Sequence, residues 1–305
     1  MPELPEVETV RAGLESLITG RTVLACSVLH PRPVRRHEGG GDDFQAALVG
    51  RTFATPRRRG KFMWLPFVDG DALMAHLGMS GQFRVDSAAA PLLSNTRVLV
   101  DLDDGQQLRF VDQRMFGGVW VSPGGADLPE EVRHIALDPF DPHFDAVKVA
   151  HRIALKHSGI KRVLLDQTVV SGIGNIYADE TLWRERLHYD TPAASLGIRK
   201  LAATLRTARS VMAEALTQGG TSFDALYVNV NGESGPFYIH VKRVEASRTR
   251  KDPAWQCRTV ARRQRVVPRS DLARKALTKH LDSPTCSATN RRSPGSRTLR
   301  GATRA

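Results

Sequence analysis

The sequence has few cysteines and lacks long apolar runs. Its three cysteines, Cys26, Cys257 and Cys286, lie far apart among 305 residues, which fits a reducing compartment and gives no disulfide framework. No stretch approaches the roughly 20 apolar residues of a membrane-spanning helix. No basic start precedes an apolar stretch, so no secretory signal is predicted. We therefore expect a cytoplasmic protein without a membrane partner.

The composition is that of a folded protein with an uneven charge. Hydrophobic residues make up 41% of the chain and charged residues 25%, enough to bury a core. The net charge of +12 comes wholly from the end of the chain: residues 1–235 hold 26 Lys+Arg and 28 Asp+Glu, whereas residues 236–305 hold 18 and 4. A basic segment of this kind favours a polyanionic partner, and nucleic acid is the first candidate.

The periodicity along the chain predicts an α+β fold. Residues 1–122 are predicted to form an N-terminal β-sandwich domain with flanking helices, because a helical face over residues 6–18 is followed by short β-rich segments between turn residues. These segments are Thr22–Leu29, Phe62–Val68, Ala72–Leu77, Val98–Leu102, Leu108–Val111 and Gly118–Ser122.

A second, helical region is predicted after residue 145. Residues 123–145 are rich in Gly, Pro and Asp and indicate a linker, and residues 236–305 indicate an irregular basic tail of low order. Between them, residues 146–235 form the predicted helical domain. Its expected helices are Ala146–Lys156, Ile160–Asp166, Ile176–Arg184 and Ile198–Thr217.

The chain begins MPELPEVETV, which places a potential secondary amine beside a carboxylate. Removal of Met1 would free the amine of Pro2, and an α-amino group titrates near pH 8, so part of it is neutral at physiological pH. A neutral amine can attack an electrophilic carbon and form a Schiff base, while Glu3 moves protons. The alternative is a solvated chain end whose carboxylates favour the following helix N-terminus.

Five motifs occur in a fixed order along residues 1–235. They are MPELPEVETV, RRRGKF at 57–62, HLGMSG at 76–81, DQRMFGG at 112–118 and SGIGNIYADE at 171–180. Together they resemble the formamidopyrimidine-DNA glycosylase and endonuclease VIII family of bacteria, whose members remove oxidised bases from DNA and nick the abasic site. The PELPEV start resembles the formamidopyrimidine branch.

The resemblance implies a catalytic group of Pro2, Glu3 and Lys61. In the family the N-terminal proline attacks the sugar C1′ and expels the base, the glutamate protonates the sugar ring oxygen, and the lysine assists β-elimination. We expect the three arginines before Lys61 to disfavour its protonated form. The alternative for Arg57–Lys61 is a solvated basic turn.

Three further residues match those that enter the duplex when a damaged nucleotide is rotated out. Met79 and Phe116 would fill the hole in the base stack, and Arg114 would hydrogen-bond the orphaned base. The alternative is that Met79 and Phe116 are core residues. His76 is more consistent with a structural histidine than with a functional one.

The segment SGIGNIYADE resembles the turn of the family's helix–two-turn–helix element. We expect its glycines and a helix N-terminus to hold a phosphate, with Asn175 against the strand beside the lesion and Lys156 and Lys161 as further DNA contacts. The alternative is an ordinary corner between helices. Residues 219–235 resemble the loop that covers the extruded base.

The family's zinc finger has no counterpart in this sequence. The family carries two Cys-x-x-Cys pairs in a zinc-folded hairpin, and none occurs here, so we expect neither zinc nor another cofactor. We hypothesise that the tail arises from a frameshift after codon 235. The coding DNA tests this, because an alternative frame must then encode paired Cys-x-x-Cys motifs.

The sequence thus predicts a monomeric glycosylase that acts on damaged double-stranded DNA. It would remove oxidised purines such as 8-oxoguanine and formamidopyrimidines, then cleave the abasic site by β-elimination through a Schiff base on Pro2. Two alternatives remain open: a catalytically impaired DNA-binding homologue that has lost its zinc finger, and a glycosylase for oxidised pyrimidines.

Overall fold

The computed structural model of the chain describes residues 2–217. The predicted covering loop and the basic tail lie outside the described residues. Six α-helices and eight strands, with three short 3-10 helices, form this described part. In chain order they are α1 (Leu4–Ile18), β1 (Val23–Val28), α2 (Gly40–Leu48), β2 (Arg57–Arg59), β3 (Phe62–Pro66), β4 (Ala72–His76), β5 (Gly81–Ser87), β6 (Thr96–Leu102), β7 (Gln106–Asp112), β8 (Gly118–Ser122), α3 (Ala146–Ala154), α4 (Ile160–Leu165), α5 (Asn175–Arg184) and α6 (Ile198–Thr217).

The strands form two antiparallel sheets of four strands each. Their orders are β1-β6-β7-β5 and β2-β3-β4-β8. Apolar side chains from both sheets, among them Leu65 and Phe110, meet in one buried cluster that also takes Leu14 of α1 and Phe44 of α2. Burial of this apolar surface is the main force holding the two sheets together. The predicted α+β fold with an N-terminal sandwich is therefore confirmed.

Two of the eight strands and one helix were not predicted from the sequence. Strand β2 consists of three arginines and has no apolar alternation; it forms because its backbone pairs with β3, Arg57 opposite Trp64 and Arg59 opposite Phe62. Strand β5 lies at a sheet edge and buries few of its side chains. Helix α2 buries only two side chains, Phe44 and Leu48. Too few apolar residues therefore recur at helical spacing to predict this helix from the sequence.

The segment predicted as a linker packs against the sandwich. Val132 and Ile135 cover the outer face of the second sheet at Trp64 and Trp120. Because this face of β3 is covered as well as the inner one, four of its five residues are buried rather than alternating. The segment therefore belongs to the packed structure of the sandwich.

Helices α3 to α6 surround a second buried cluster. Its members include Ile160, Tyr177, Leu205 and, from the other end of the chain, Leu4. The N–H of Leu4 donates to the carbonyl of Gly172 at 3.0 Å, so the start of the chain lies where the sandwich meets the helical half. None of the helices up to residue 217 combines the length and the apolar character needed to cross a membrane.

Candidate active site

Glu3 is buried at the N-terminus of α5, with 3% of its surface exposed. Its carboxylate accepts hydrogen bonds from the backbone N–H groups of Gly174 at 2.6 Å, Ile176 at 2.9 Å and Tyr177 at 3.3 Å. The approach is so close that a Cβ on Gly174 would lie 2.3 Å from the Glu3 carboxyl carbon. A helix N-terminus favours a negative charge, and here the charge comes from the chain itself.

This contact corrects the expectation for SGIGNIYADE. The N–H groups predicted to hold a DNA phosphate are already bonded to the Glu3 carboxylate. The second glycine of the motif therefore makes room for Glu3. Sequence periodicity cannot show this, because the two ends of the contact are more than 170 residues apart.

Burial brings the pKa of the Glu3 carboxyl group close to neutral pH. Desolvation raises its pKa from 4.5 to about 7, although the positive charge of Lys61 and the N–H groups of Ile176 and Tyr177 act in the opposite direction. Loss of hydration therefore outweighs the favourable contacts. A carboxyl group with a pKa near the working pH can both give and take a proton.

Lys61 lies half-buried in the turn between β2 and β3. Its pKa is lowered because burial disfavours the ammonium form, while the carboxylates of Glu3 and Glu6 act against this shift. The lowered pKa of Lys61 agrees with the sequence-based expectation. The expected cause, repulsion by the three preceding arginines, was wrong, because burial lowers the pKa. Arg58 is neutralised by Glu8 and by Asp138, each at 2.8 Å, so it is not a free like charge beside Lys61.

A second carboxylate supports the first. Glu6 is buried, and its Oε2 accepts the backbone N–H of Glu3 at 2.9 Å. Its Oε1 accepts the hydroxyl of the buried Tyr177 at 2.8 Å. Pro2, also buried, directly precedes Glu3. The structure thus brings the start of α1, the β2–β3 turn and the N-terminus of α5 to one place.

The three residues expected to enter the duplex lie in two neighbouring loops. Met79 follows β4 and is half-buried, whereas Arg114 and Phe116 follow β7 and are exposed, Phe116 with 45% of its surface. The Arg114 guanidinium lies over the Phe116 ring at 5.2 Å from its centroid. The alternative that Phe116 is a core residue is excluded by its exposure.

The buried carboxylate of Asp112 links these two loops by hydrogen bonds. Asp112 is fully buried, and its carboxylate accepts the hydroxyl of Ser80 at 2.5 Å and the N–H of Gly117 at 2.8 Å. The Ser80 oxygen in turn accepts the N–H of Arg114 at 2.9 Å. Sequence reasoning did not single out Asp112 and Ser80, although both lie inside the motifs DQRMFGG and HLGMSG.

His76 is the last residue of β4, and its ring centroid lies 5.4 Å from that of Phe62. Burial lowers its pKa to about 4, and the positive charges of Arg36, Arg35 and Lys61 add to the effect. The ring is therefore neutral at physiological pH. Its Nδ1 is buried without a hydrogen-bond partner among the described residues.

The predicted DNA contacts of the helical half differ in their surroundings. Asn175 is exposed as the first residue of α5, and Lys156 is exposed beyond α3. Lys161, however, is half-buried and forms an ion pair with Asp179 at 2.7 Å. A DNA phosphate at Lys161 would therefore compete with the Asp179 carboxylate for the Lys161 ammonium group.

The comparisons with known proteins agree with this arrangement. A model described as the formamidopyrimidine-DNA glycosylase N-terminal domain matches residues 1–119, and one described as the formamidopyrimidine-DNA glycosylase H2TH domain matches residues 135–225. A formamidopyrimidine-DNA glycosylase from a Nocardioides species is 58% identical over 240 residues, 78% of this chain and 81% of the relative. The chain belongs to the formamidopyrimidine-DNA glycosylase family.

Two solved structures from this family superpose on the described fold. Both are of Lactococcus lactis Fpg in complex with DNA, one with an N7-benzyl-Fapy-dG and one with an oxidised pyrimidine. Each is 30% identical and covers 77% of this chain and 84% of its own, with TM-scores of 0.69 and 0.68. The fold is thus one that holds damaged DNA in its relatives.

Proposed function

We propose that this protein is a base-excision repair glycosylase that removes oxidised purines from double-stranded DNA and cleaves the abasic site. The observation that carries the proposal is that buried Glu3, directly after Pro2, interacts with half-buried Lys61, and that both pKa values are moved toward neutrality. Family membership supports the reaction class.

The proposed reaction begins on the amine of Pro2, after removal of Met1. The neutral nitrogen attacks C1′ and the bond to the base breaks, so that the base leaves with the bonding electron pair and takes up the amine proton. The protonated carboxyl of Glu3 then gives its proton to the sugar ring oxygen as the C1′–O4′ bond breaks, which leaves an iminium between Pro2 and C1′. The resulting iminium acidifies the C2′ hydrogen. Lys61 assists its removal, and the 3′ phosphate leaves as the C2′–C3′ double bond forms.

The expected protonation states follow from the surroundings. At pH 7 about half of Glu3 is protonated, given a pKa of about 7. An α-amino group with a pKa near 8 is partly neutral there. The two requirements oppose one another, so excision should have a bell-shaped pH dependence with its maximum between about pH 7 and 8.

The DNA contacts belong to the same proposal. Met79, Phe116 and Arg114 enter the duplex, and Asn175, Lys156 and Lys161 contact its backbone. We further propose that the protein acts as a monomer in the cytoplasm. No step passes through zinc, since the sequence has no Cys-x-x-Cys pair.

The test is borohydride trapping on a duplex with one 8-oxoguanine opposite cytosine. Borohydride reduces a Schiff base to a stable bond, so the wild-type chain should give a covalent protein–DNA band. Pro2→Gly should abolish the band. A chain that binds the duplex but gives no band would be the DNA-binding homologue without catalysis, and the proposal would be wrong.

A glycosylase for oxidised pyrimidines remains a second candidate. It is favoured by the Lactococcus lactis complex with an oxidised pyrimidine. Excision rates on 8-oxoguanine and thymine glycol duplexes separate the two, because a faster reaction on thymine glycol would replace purines as the preferred substrate class.

A further inference from the structure

Asp138 is a buried acidic residue to which the proposed reaction gives no role. It lies in the segment between the sandwich and the helical half, with 3% of its surface exposed. Its Oδ2 accepts the guanidinium of Arg58 at 2.8 Å and the N–H of Gly60 at 3.1 Å. Its Oδ1 accepts the N–H of Phe140 at 3.1 Å, which fixes the carboxylate to its own segment.

Arg58 completes a ring of contacts around the same turn. Its Nη1 donates to the carbonyl of Gly60 at 3.0 Å as well as to Asp138. Its Nε donates to Glu8 of α1 at 2.8 Å. Both polar groups of Gly60, its N–H and its C=O, are therefore bound by the buried Arg58–Asp138 ion pair, and Arg58 links this pair to α1 through Glu8.

Gly60 lies against the helical half with no room for a side chain. Its φ of +58° is in the left-handed region, and a Cβ there would lie 2.7 Å from the side chain of Ser171. On its other side, Lys61 is followed by strand β3, whose Phe62 is paired with Arg59. The backbone on both sides of Lys61 is thus fixed, by the sheet after it and by Asp138 before it.

We propose that Asp138 is a positioning residue for Lys61, acting through Arg58 and the Gly60 turn. This inference rests on the proposed function of Lys61. Because Asp138 and Arg58 bind both polar groups of the residue that precedes Lys61, their positions set the direction in which the backbone enters Lys61. Misplacement of a reacting group by about 1 Å costs about 100-fold in rate.

The experiment compares Asp138→Asn with a matched control, Asp71→Asn. Asp71 also accepts an arginine, Arg51 at 2.7 Å, and a glycine N–H, Gly124 at 2.7 Å, but it precedes β4, at the end of the β3–β4 hairpin remote from the β2–β3 turn. Both variants lose the same kind of contact. Only the first loses it at the β2–β3 turn.

Two quantities are measured on the full chain well below its melting temperature. One is the single-turnover rate of cleavage of a natural abasic site in duplex DNA, and the other is the Kd for a duplex with a tetrahydrofuran abasic analogue. Asp138→Asn should lower the rate about 10- to 100-fold and change the Kd by less than about threefold. Asp71→Asn should change neither, and Asp138→Glu should recover part of the rate.

Each other outcome overturns the inference. Equal rate losses in Asp138→Asn and Asp71→Asn would show a general effect of stability, and an unchanged rate in Asp138→Asn would show that Lys61 is held without it. If the wild-type chain itself neither cleaves the site nor gives a trapped band, the proposed function fails and the inference falls with it. The wild-type measurement therefore distinguishes failure of the proposed function from failure of the inference about Asp138.

Discussion

The catalytic group of Pro2, Glu3 and Lys61 and the pair of loops that carry Met79, Arg114 and Phe116 use burial in opposite ways. In the catalytic group the proposed proton donor itself is buried, and Glu3 is 3% exposed. In the loops the working side chain of Phe116 is 45% exposed, while the Asp112 carboxylate beneath it is fully buried. Burial sets protonation in the first region and backbone shape in the second.

The difference follows from what each region is proposed to do. A proton donor needs a pKa near the working pH, which removal from water supplies. A group that fills a gap in the base stack needs an open approach and a fixed position. Changes in the catalytic group should therefore affect rate and pH dependence. Changes at exposed loop residues should affect DNA binding, and changes at the buried Asp112 should affect stability as well.

The largest effect is expected from Glu3→Gln. The amide cannot donate a proton as an acid, so single-turnover excision of 8-oxoguanine should fall by about 10²- to 10⁴-fold. The matched control is Glu15→Gln on the same helix, where the side chain is 46% exposed and paired with Arg11. An equal loss in both variants would contradict a special role for the buried carboxyl.

The pH dependence of stability comes next in size. Between pH 4.5 and about 7 folded Glu3 retains a proton that the unfolded chain has released, so the free energy of unfolding falls as pH rises through this window. The difference between the folded and unfolded pKa values of Glu3 corresponds to a loss of about 3 kcal/mol in the free energy of unfolding. Urea unfolding from pH 4 to 8 should show this loss in the wild-type chain and not in Glu3→Gln. Identical pH profiles would contradict it.

Asp112→Asn should lower both stability and DNA binding. One of its two acceptor positions becomes a donor facing the hydroxyl of Ser80 or the N–H of Gly117, which costs about 1–3 kcal/mol when buried. Chemical denaturation measures the loss. Asp127→Asn, at a side chain that is 95% exposed, should leave stability within about 0.5 kcal/mol. If Asp112→Asn were as stable as this control, the loops would be held by other contacts.

The smallest effect is expected from Phe116→Ala. Because the ring is exposed, the free energy of unfolding should change by less than about 0.5 kcal/mol. Affinity for a lesion-containing duplex should fall about tenfold, as stacking on a base is lost. Fluorescence anisotropy measures it, with Val68→Ala as the control at another exposed apolar residue. An unchanged affinity would remove Phe116 from the DNA interface.

The sequence was most informative where the signal is local. Six of the eight strands, the helical half and the motif residues could be predicted from period, turn residues and resemblance. The contacts that define the two regions could not. Glu3 meets α5 and Arg58 meets Asp138 across 171 and 80 residues, and such pairings depend on how the halves pack. Even the cause of the Lys61 shift, burial rather than its arginine neighbours, needed the fold.

The most direct test of the account is to identify the atom that binds the DNA. The borohydride-trapped complex on 8-oxoguanine duplex would be digested, and the peptide carrying the nucleotide remnant would be sequenced by mass spectrometry. The account predicts a remnant on the N-terminal nitrogen of Pro2, in a chain from which Met1 has been removed. A remnant on Lys61 or on another lysine would contradict it, because the nucleophile would then not be the amine of Pro2.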